Sequence, residues 1–173
     1  MKHLLLISLL ISTAVFGQDS IALKNLTEAY LFSHRKTYVK KEYIDIGKVR
    51  TYFKVQVVHL SDLLEEDSIS AVYFVFGTST DRITSIMDAD ELPVFIAVLT
   101  KSYFEIAESI PFVYTEYNYH SKARLKFSMY SKDNAKWDVI LKVGSRNPVY
   151  VHFRLDEIPK LISLLKTAQK VLK

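Results

Sequence analysis

The chain has 173 residues, 49% of them hydrophobic, and a formal net charge of +4 at pH 7. This length suits one domain with a core large enough to be stable without covalent cross-links. The absence of cysteine excludes disulfides, thiolate metal sites and cysteine nucleophiles. Because so small a positive charge attracts anionic partners only mildly, its distribution over the surface matters more than its sum.

The N-terminus has the pattern of a secretory signal peptide over residues 1–17. A basic start at Lys2 precedes an apolar run from Leu4 to Phe16, and the small residue Gly17 follows. The run is too short for a hydrocarbon core that needs about 20 residues, so we expect no permanent membrane anchor. We therefore expect cleavage after Gly17 and an exported protein, periplasmic or extracellular.

The rest of the chain predicts a short helix and then eight strands and two helices. Apolar residues at helical spacing predict the leading helix over residues 19–35, with a loosely docked arm as the alternative. Alternating β-branched and aromatic residues predict strands over 38–46, 49–60, 69–77 and 82–88, before a helix over 91–108. The same order returns with strands over 112–120, 123–131, 136–143 and 149–155 and a helix over 157–172.

Three pairs of landmarks indicate that residues 38–108 and 112–172 are an internal repeat. Both helices begin with Asp-Glu-x-Pro, at residues 90–93 and 156–159. Asp90 and Asp156 are predicted N-caps, and proline is tolerated in the first helical turn. The other pairs are Gly77 with Gly144 and the dipeptide at 42–43 with that at 116–117. The alternative is a chance likeness between short amphipathic elements.

The predicted fold class is therefore α+β, with two ββββα repeats in one pseudo-two-fold domain over residues 18–173. Each antiparallel sheet is expected to be covered on one face by its own helix, because apolar residues at spacings of three and four mark a buried stripe on both helices. The predicted stripes comprise Leu92, Phe95, Ile96, Leu99, Tyr103 and Ile106, and Ile158, Leu161, Ile162, Leu165, Gln169 and Leu172.

The opposite face of the sheets is predicted to be basic and aromatic, because side chains alternate along a strand. Its candidate binding residues are Arg50, Tyr52, Lys54, Arg124, Lys126, Tyr130, Lys142, Tyr150, His152 and Arg154. Cations that follow phosphates and rings that stack on bases are typical of single-stranded nucleic-acid binding. An ordinary solvated sheet face has a similar composition, and the apolar residues expected on it, Tyr73, Val75, Ile86 and Ile140, favour a protein partner or self-association.

The order of four strands and a helix, written twice, resembles the PUR-repeat proteins and, more distantly, the Whirly single-stranded DNA binders. The stretch from Trp137 to Leu172 carries most of the likeness, with its hairpin, its Val-Tyr-Val-His-Phe-Arg strand and its Asp-Glu-Ile-Pro helix start. The resemblance implies a shared topology, and the chain has no specific nucleic-acid motif of those families to carry over residue by residue. Because those families act inside cells, the predicted signal peptide points away from their function.

Several catalytic and metal-binding arrangements were considered. Glu42 and Glu116 could face each other as an acid and base pair, but solvated strand-end charges are the simpler interpretation. His120 and His152 could approach across the sheet, yet zinc would need a third ligand. The acidic residues 62–67 lack the spacing and the glycine of a calcium loop and are interpreted as a hairpin tip. We expect no catalytic residue, metal or cofactor.

The sequence thus predicts a small exported protein without enzymatic activity that binds a partner or has a structural role. The expected partner is a protein or an anionic ligand. The alternative is binding of single-stranded nucleic acid or another polyanion through the basic, aromatic face.

Overall fold

A computed structural model describes residues 25–35, 38–64, 66–77, 81–108, 113–132, 136–144 and 147–173. The predicted signal peptide and the first part of the predicted leading helix lie outside these residues.

The fold is α+β and consists of two ββββα repeats after a short helix. The helices are α1 (Leu26–Ser33), α2 (Leu92–Glu108) and α3 (Ile158–Val171), and α3 is preceded by a 3-10 turn, Leu155–Glu157. The first sheet contains β1 (Val39–Arg50), β2 (Phe53–Asp62), β3 (Ser68–Gly77) and β4 (Arg82–Asp88). The second contains β5 (Glu116–His120), β6 (Lys126–Lys132), β7 (Lys136–Val143) and β8 (Val149–Phe153). Both sheets are antiparallel meanders with the strands in sequence order.

The first hairpin turns at Thr51 and Tyr52, so the predicted break between the first two strands, at residues 47–48, is wrong. Gly47 lies inside β1, at a register shift between Asp45 and Gly47. A bulge of this kind adds a residue to one strand without ending it. Gly47 has a φ of +152°, and a Cβ at this residue would lie 2.7 Å from the side chain of Leu164. Both observations favour glycine at this position.

One hydrophobic core joins the inner faces of both sheets to α2 and α3. Phe95 of α2 is completely buried and meets rings from both repeats, with centroids 6.2 Å from Phe74 and 5.7 Å from Phe127. Both predicted helix stripes face this core, although Ser102 and Ala168 are buried where Tyr103 and Gln169 were expected.

Each helix also packs against the first strand of the other repeat. Helix α3 lies against β1 and β2, and Lys160 Nζ donates to the carbonyl of Val49 at 3.3 Å. Helix α2 lies against β5, where the Phe95 and Tyr119 ring centroids are 4.8 Å apart. Contact with both sheets buries more of each apolar stripe than one sheet could.

Helix α1 covers part of the outer face of the first sheet. A second apolar cluster forms there from α1 and the outward residues of β2 and β3; its buried members are Tyr30, Val58, Leu60, Ala71, Tyr73 and Val75. Ile86 packs against this cluster. Three of the apolar residues expected to be exposed therefore belong to this cluster: Tyr73 and Val75 are buried, and Ile86 is partly buried.

The hydrogen-bond ladders refine how the repeats correspond. With Gly77 matched to Gly144, Lys54 opposite Val75 corresponds to Lys126 opposite Lys142. Asp45 opposite Gln56 then corresponds to Asn118 opposite Ser128. The predicted match of residues 42–43 with 116–117 is therefore wrong by one residue, because in this register Tyr43, opposite Val58, corresponds to Glu116, opposite Tyr130.

Candidate functional site

The outer face of the second sheet carries a shallow depression of about 390 Å³. It crosses all four strands, and no described helix packs there as α1 packs on the first sheet. Four of the predicted binding residues line it: Lys126, Tyr130, Lys142 and Tyr150. The depression therefore brings together the central part of the predicted face.

Lys126 and Lys142 are the cationic residues of this depression. They occupy directly opposite positions on β6 and β7, and both are half-buried. Neither forms an ion pair within 4 Å among the described residues. Like charges directly opposite each other on a sheet are unfavourable, so this pair weakens the sheet unless an anion lies between them.

Tyrosines surround the two lysines. Tyr150, opposite Lys142 on β8, is 57% exposed, and Tyr114, before β5, is 68% exposed. Tyr130 donates its hydroxyl to Asp138 Oδ2 at 2.9 Å. The depression thus offers ring surfaces and phenolic hydroxyls beside its positive charge.

Glu116 places one negative charge in the lining. Hydrogen bonds from the side chain of Asn118 and from the Tyr114 hydroxyl, the latter at 3.0 Å, lower the pKa of this carboxyl. Lys126 also lowers it through its charge. Of the two lysines, Lys126 is thus the one whose charge acts on Glu116.

The other residues predicted on the second sheet have separate surroundings. His152 faces Asp138, with Nδ1 3.4 Å from Oδ1. Arg124 has a φ of +64° and lies in the turn between β5 and β6, not on a strand. Arg154 pairs with Asp156 at 2.8 Å. The negative charge of Asp156 partly neutralises the guanidinium and so weakens its attraction for an anionic ligand.

The predicted residues of the first repeat do not join this depression. The guanidinium of Arg50 donates to both carboxylate oxygens of Glu157 at the start of α3, with a distance of 2.6 Å from Nε to Oε1. It therefore links the two repeats. Tyr52 and Lys54 line a second depression on the first sheet.

The same type of link joins the turn after β5 to the residues just before α2, and it changes the role assigned to the Asp-Glu-x-Pro motifs. Lys122 Nζ donates to Asp90 at 2.6 Å, and its backbone N–H donates to Glu91 Oε1 at 2.8 Å. Asp90 and Asp156 were predicted to cap helices, but their carboxylates pair with Lys122 and Arg154. Local spacing predicts a cap, whereas these partners lie elsewhere in the chain or outside the helix.

The geometry does not assemble the catalytic and metal arrangements considered from the sequence. Glu42 pairs with Lys40 at 2.8 Å, on a different sheet from Glu116. His120 and His152 lie on opposite edge strands, so their predicted approach across the sheet is wrong. Within the described residues, no three potential ligands are grouped to hold a metal ion. None of the helices in the described ranges has both the length and the apolar character to span a bilayer.

Sequence reasoning did not include Tyr114, Glu116 and Ser128 among the candidate binding residues, although they line the depression. The signal was present in part, because Tyr114, Glu116 and Asn118 alternate and so share one face of β5. The predicted strand over 112–120 contains both Tyr114 and Glu116, but its alternation was not extended to the outer face; in the structure β5 begins at Glu116, and Tyr114 precedes it.

No family model, curated protein or solved structure matches this chain. The resemblance to the PUR-repeat and Whirly proteins thus remains a prediction from the order of elements.

Proposed function

We propose that this chain is an exported, non-enzymatic binding protein that takes an anionic ligand on the outer face of its second sheet. The observation that carries the proposal is the pair of directly opposite lysines, Lys126 and Lys142, without an ion-pair partner in the described residues. A purely structural sheet face gains more from opposite charges at such positions. An anion bridging the two ammonium groups would relieve their repulsion and gain charge-assisted hydrogen bonds.

The exposed tyrosines favour a ligand that also presents flat or ring-shaped groups. Tyr114 and Tyr150 leave more than half of their surface in water, although each could have been packed against the sheet. Such rings add stacking contacts without demanding a particular sequence or side group. A polyanion with ring-containing units fits both the lysines and the tyrosines.

Single-stranded nucleic acid is the second candidate ligand, and the same tyrosines favour it. Base stacking on aromatic side chains contributes about 1–3 kcal/mol per base, and the lysines would contact phosphates. The predicted export favours a different polyanion, such as an acidic polysaccharide, because nucleic acid is chiefly intracellular.

Fluorescence anisotropy with a labelled polyuronate and a labelled oligothymidylate tests the proposal. We expect saturable binding of at least one probe at low salt, weakening as salt is added. Replacing both lysines with Lys126→Gln and Lys142→Gln should weaken it by about tenfold or more, because two charge-assisted contacts are lost.

The matched control is the double variant Lys101→Gln with Lys166→Gln, which removes the same charge from exposed positions on α2 and α3. It should keep most of the affinity. An equal loss in both double variants would show that only net charge matters, and the proposed site would be abandoned. Failure of both probes to bind at low salt would have the same consequence.

A further inference from the structure

A second depression, of about 360 Å³, lies on the outer face of the first sheet, near the turn between β1 and β2. Three cations, Lys48, Lys54 and Arg82, and a single acid, Asp45, line it. Lys48 and Lys54 occupy directly opposite positions on β1 and β2. The depression thus repeats, in the first sheet, the unfavourable cross-strand pair of lysines found in the second.

The single acid is already engaged by neighbouring side chains. Asp45 accepts hydrogen bonds from the amide of Gln56 and from Lys54 Nζ, the latter at 3.2 Å. These bonds, that from Gln56 first, lower the pKa of the Asp45 carboxyl, so it stays ionised and bound to them. Asp45 therefore offsets at most one of the three positive charges.

The buried side chain of Gln56 connects Asp45 to Arg82. Its side chain is 5% exposed, its Nε2 donates to Asp45, and its Oε1 accepts from Arg82 at 3.4 Å. The buried amide thereby fixes the acid on one side and orients the guanidinium on the other. Buried polar side chains that hold charged neighbours in place are typical of preorganised binding sites.

The strand ladders give an independent reason to consider this depression a site. Lys54 corresponds to Lys126 of the second repeat, whereas the neighbouring outward positions differ, with Val75 in place of Lys142. The first repeat supplies its other cations from different positions, Lys48 and Arg82. Both outer faces thus have a cationic cluster around an equivalent lysine, Lys54 or Lys126, although most of the surrounding residues differ.

We propose that the Lys48, Lys54 and Arg82 cluster binds a tetrahedral oxyanion, a phosphate or sulfate group, as a second site independent of the second sheet. Arg82 supplies planar paired donors, and the two lysines supply point charges. Tyr52, 58% exposed in the lining, offers a ring to an aromatic ester of that anion. The chain then binds two anionic groups, one on each repeat.

Amide chemical shifts of the isotope-labelled protein, recorded during titration with inorganic phosphate and then with phenyl phosphate, test this inference. We expect saturable shifts at Val75 and Gly77, and tighter binding of phenyl phosphate because of Tyr52. The double variant Lys48→Gln with Arg82→Gln should weaken binding there by about tenfold or more. The single variant Lys48→Gln keeps the Arg82 to Gln56 contact and should show a smaller loss in the same direction.

The titration also separates this site from the one on the second sheet. Lys126→Gln with Lys142→Gln should leave the shifts at Val75 and Gly77 unchanged, whichever way the polyanion experiment ends. Equal shifts with sodium chloride at the same ionic strength would mean general screening and would overturn the second site. Shifts that persist in Lys48→Gln with Arg82→Gln would also overturn it.

Discussion

At the scale of single residues, Asp88 determines where the N-terminal helix docks. Its carboxylate, at the end of β4, accepts four hydrogen bonds from the start of α1. Two come from the backbone N–H groups of Leu26 and Thr27, and two from the side chains of Asn25 and Thr27. Since Asp88 is 1% exposed, water cannot replace these bonds. A residue that ends a strand thus also caps a distant helix.

Asp88→Ala should therefore destabilise the protein by about 2–3 kcal/mol, because it leaves buried donors without an acceptor. Urea denaturation measures the change. Asp88→Asn keeps one acceptor oxygen and should lose less. Asp156→Ala, on an exposed surface pair, should change stability by about 0.5 kcal/mol or less. A midpoint for Asp88→Ala equal to that of the parent would show that α1 is not held by this carboxylate.

Glu91 and Glu157 occupy matched positions in the two repeats but have opposite electrostatic surroundings. Burial raises the pKa of Glu91, and this effect exceeds the hydrogen bond from the Lys122 backbone. A hydrogen bond from the Asp88 backbone also lowers the pKa of Glu91, the negative charge of Asp88 raises it, and the charge of Lys122 lowers it. The hydrogen bond from Arg50 lowers the pKa of Glu157 despite partial burial. The fold thus disfavours the ionised form of Glu91 and stabilises the ionised form of Glu157.

The pH dependence of the two glutamine variants should differ in sign. A raised folded pKa favours the protonated form, so wild-type Glu91 loses stability as pH rises from its unfolded pKa, about 4.3, through its folded pKa. Glu91→Gln should accordingly melt higher than the parent at pH 7 and lose this advantage below about pH 4. Glu157→Gln should melt lower at pH 7, and its deficit should shrink as pH falls through the lowered pKa. Thermal melting from pH 3 to 8 checks both, and parallel curves for the two variants would contradict the assignment.

At the scale of elements, the two repeat helices act as shared parts of one core. Each begins after the fourth strand of its own repeat and packs against the first strand of the other, with an ionic contact at its start. Because α2 contacts strands of both repeats, Phe95 meets rings from both sheets. Removing apolar volume from either helix should therefore weaken both repeats together.

Leu165→Ala tests this role for α3. Leu165 is completely buried, and the cavity left by truncation should lower stability by about 2–5 kcal/mol. Lys166→Ala, at the next and exposed position, keeps the helix and serves as the control. Amide exchange should accelerate in both sheets of Leu165→Ala. Faster exchange confined to the second sheet would mean that the helix does not stabilise the first.

At the scale of the whole molecule, the two repeats share a core but differ in their outer faces. On the first sheet, α1 packs against the apolar cluster, and the depression near Tyr52 lies at the end of β1 and β2. On the second sheet, no helix of the described residues covers the face with Lys126 and Lys142, and the depression crosses all four strands. We expect this difference to restrict the larger ligand to the second repeat and to leave the first with a smaller site.

Much of this architecture could be predicted because it depends on local patterns. Alternation located all eight strands, and the Asp-Glu-x-Pro motifs located the starts of α2 and α3 within about one residue. The run at residues 71–76, apolar at every position, already indicated a strand buried on both faces. The cover supplied by α1 was missed because alternation was applied to a strand that does not alternate.

The sequence by itself determined the elements, their duplication and the apolar stripes of α2 and α3, since these depend on neighbours a few residues apart. Only the tertiary structure decided which cations remain available to a ligand. Arg50 is taken by Glu157 and Lys122 by Asp90, whereas Lys126 and Lys142 face each other without an ion pair among the described residues. These partners are far apart along the chain, so the folded arrangement alone brings a charge and its neutralising group within reach of each other.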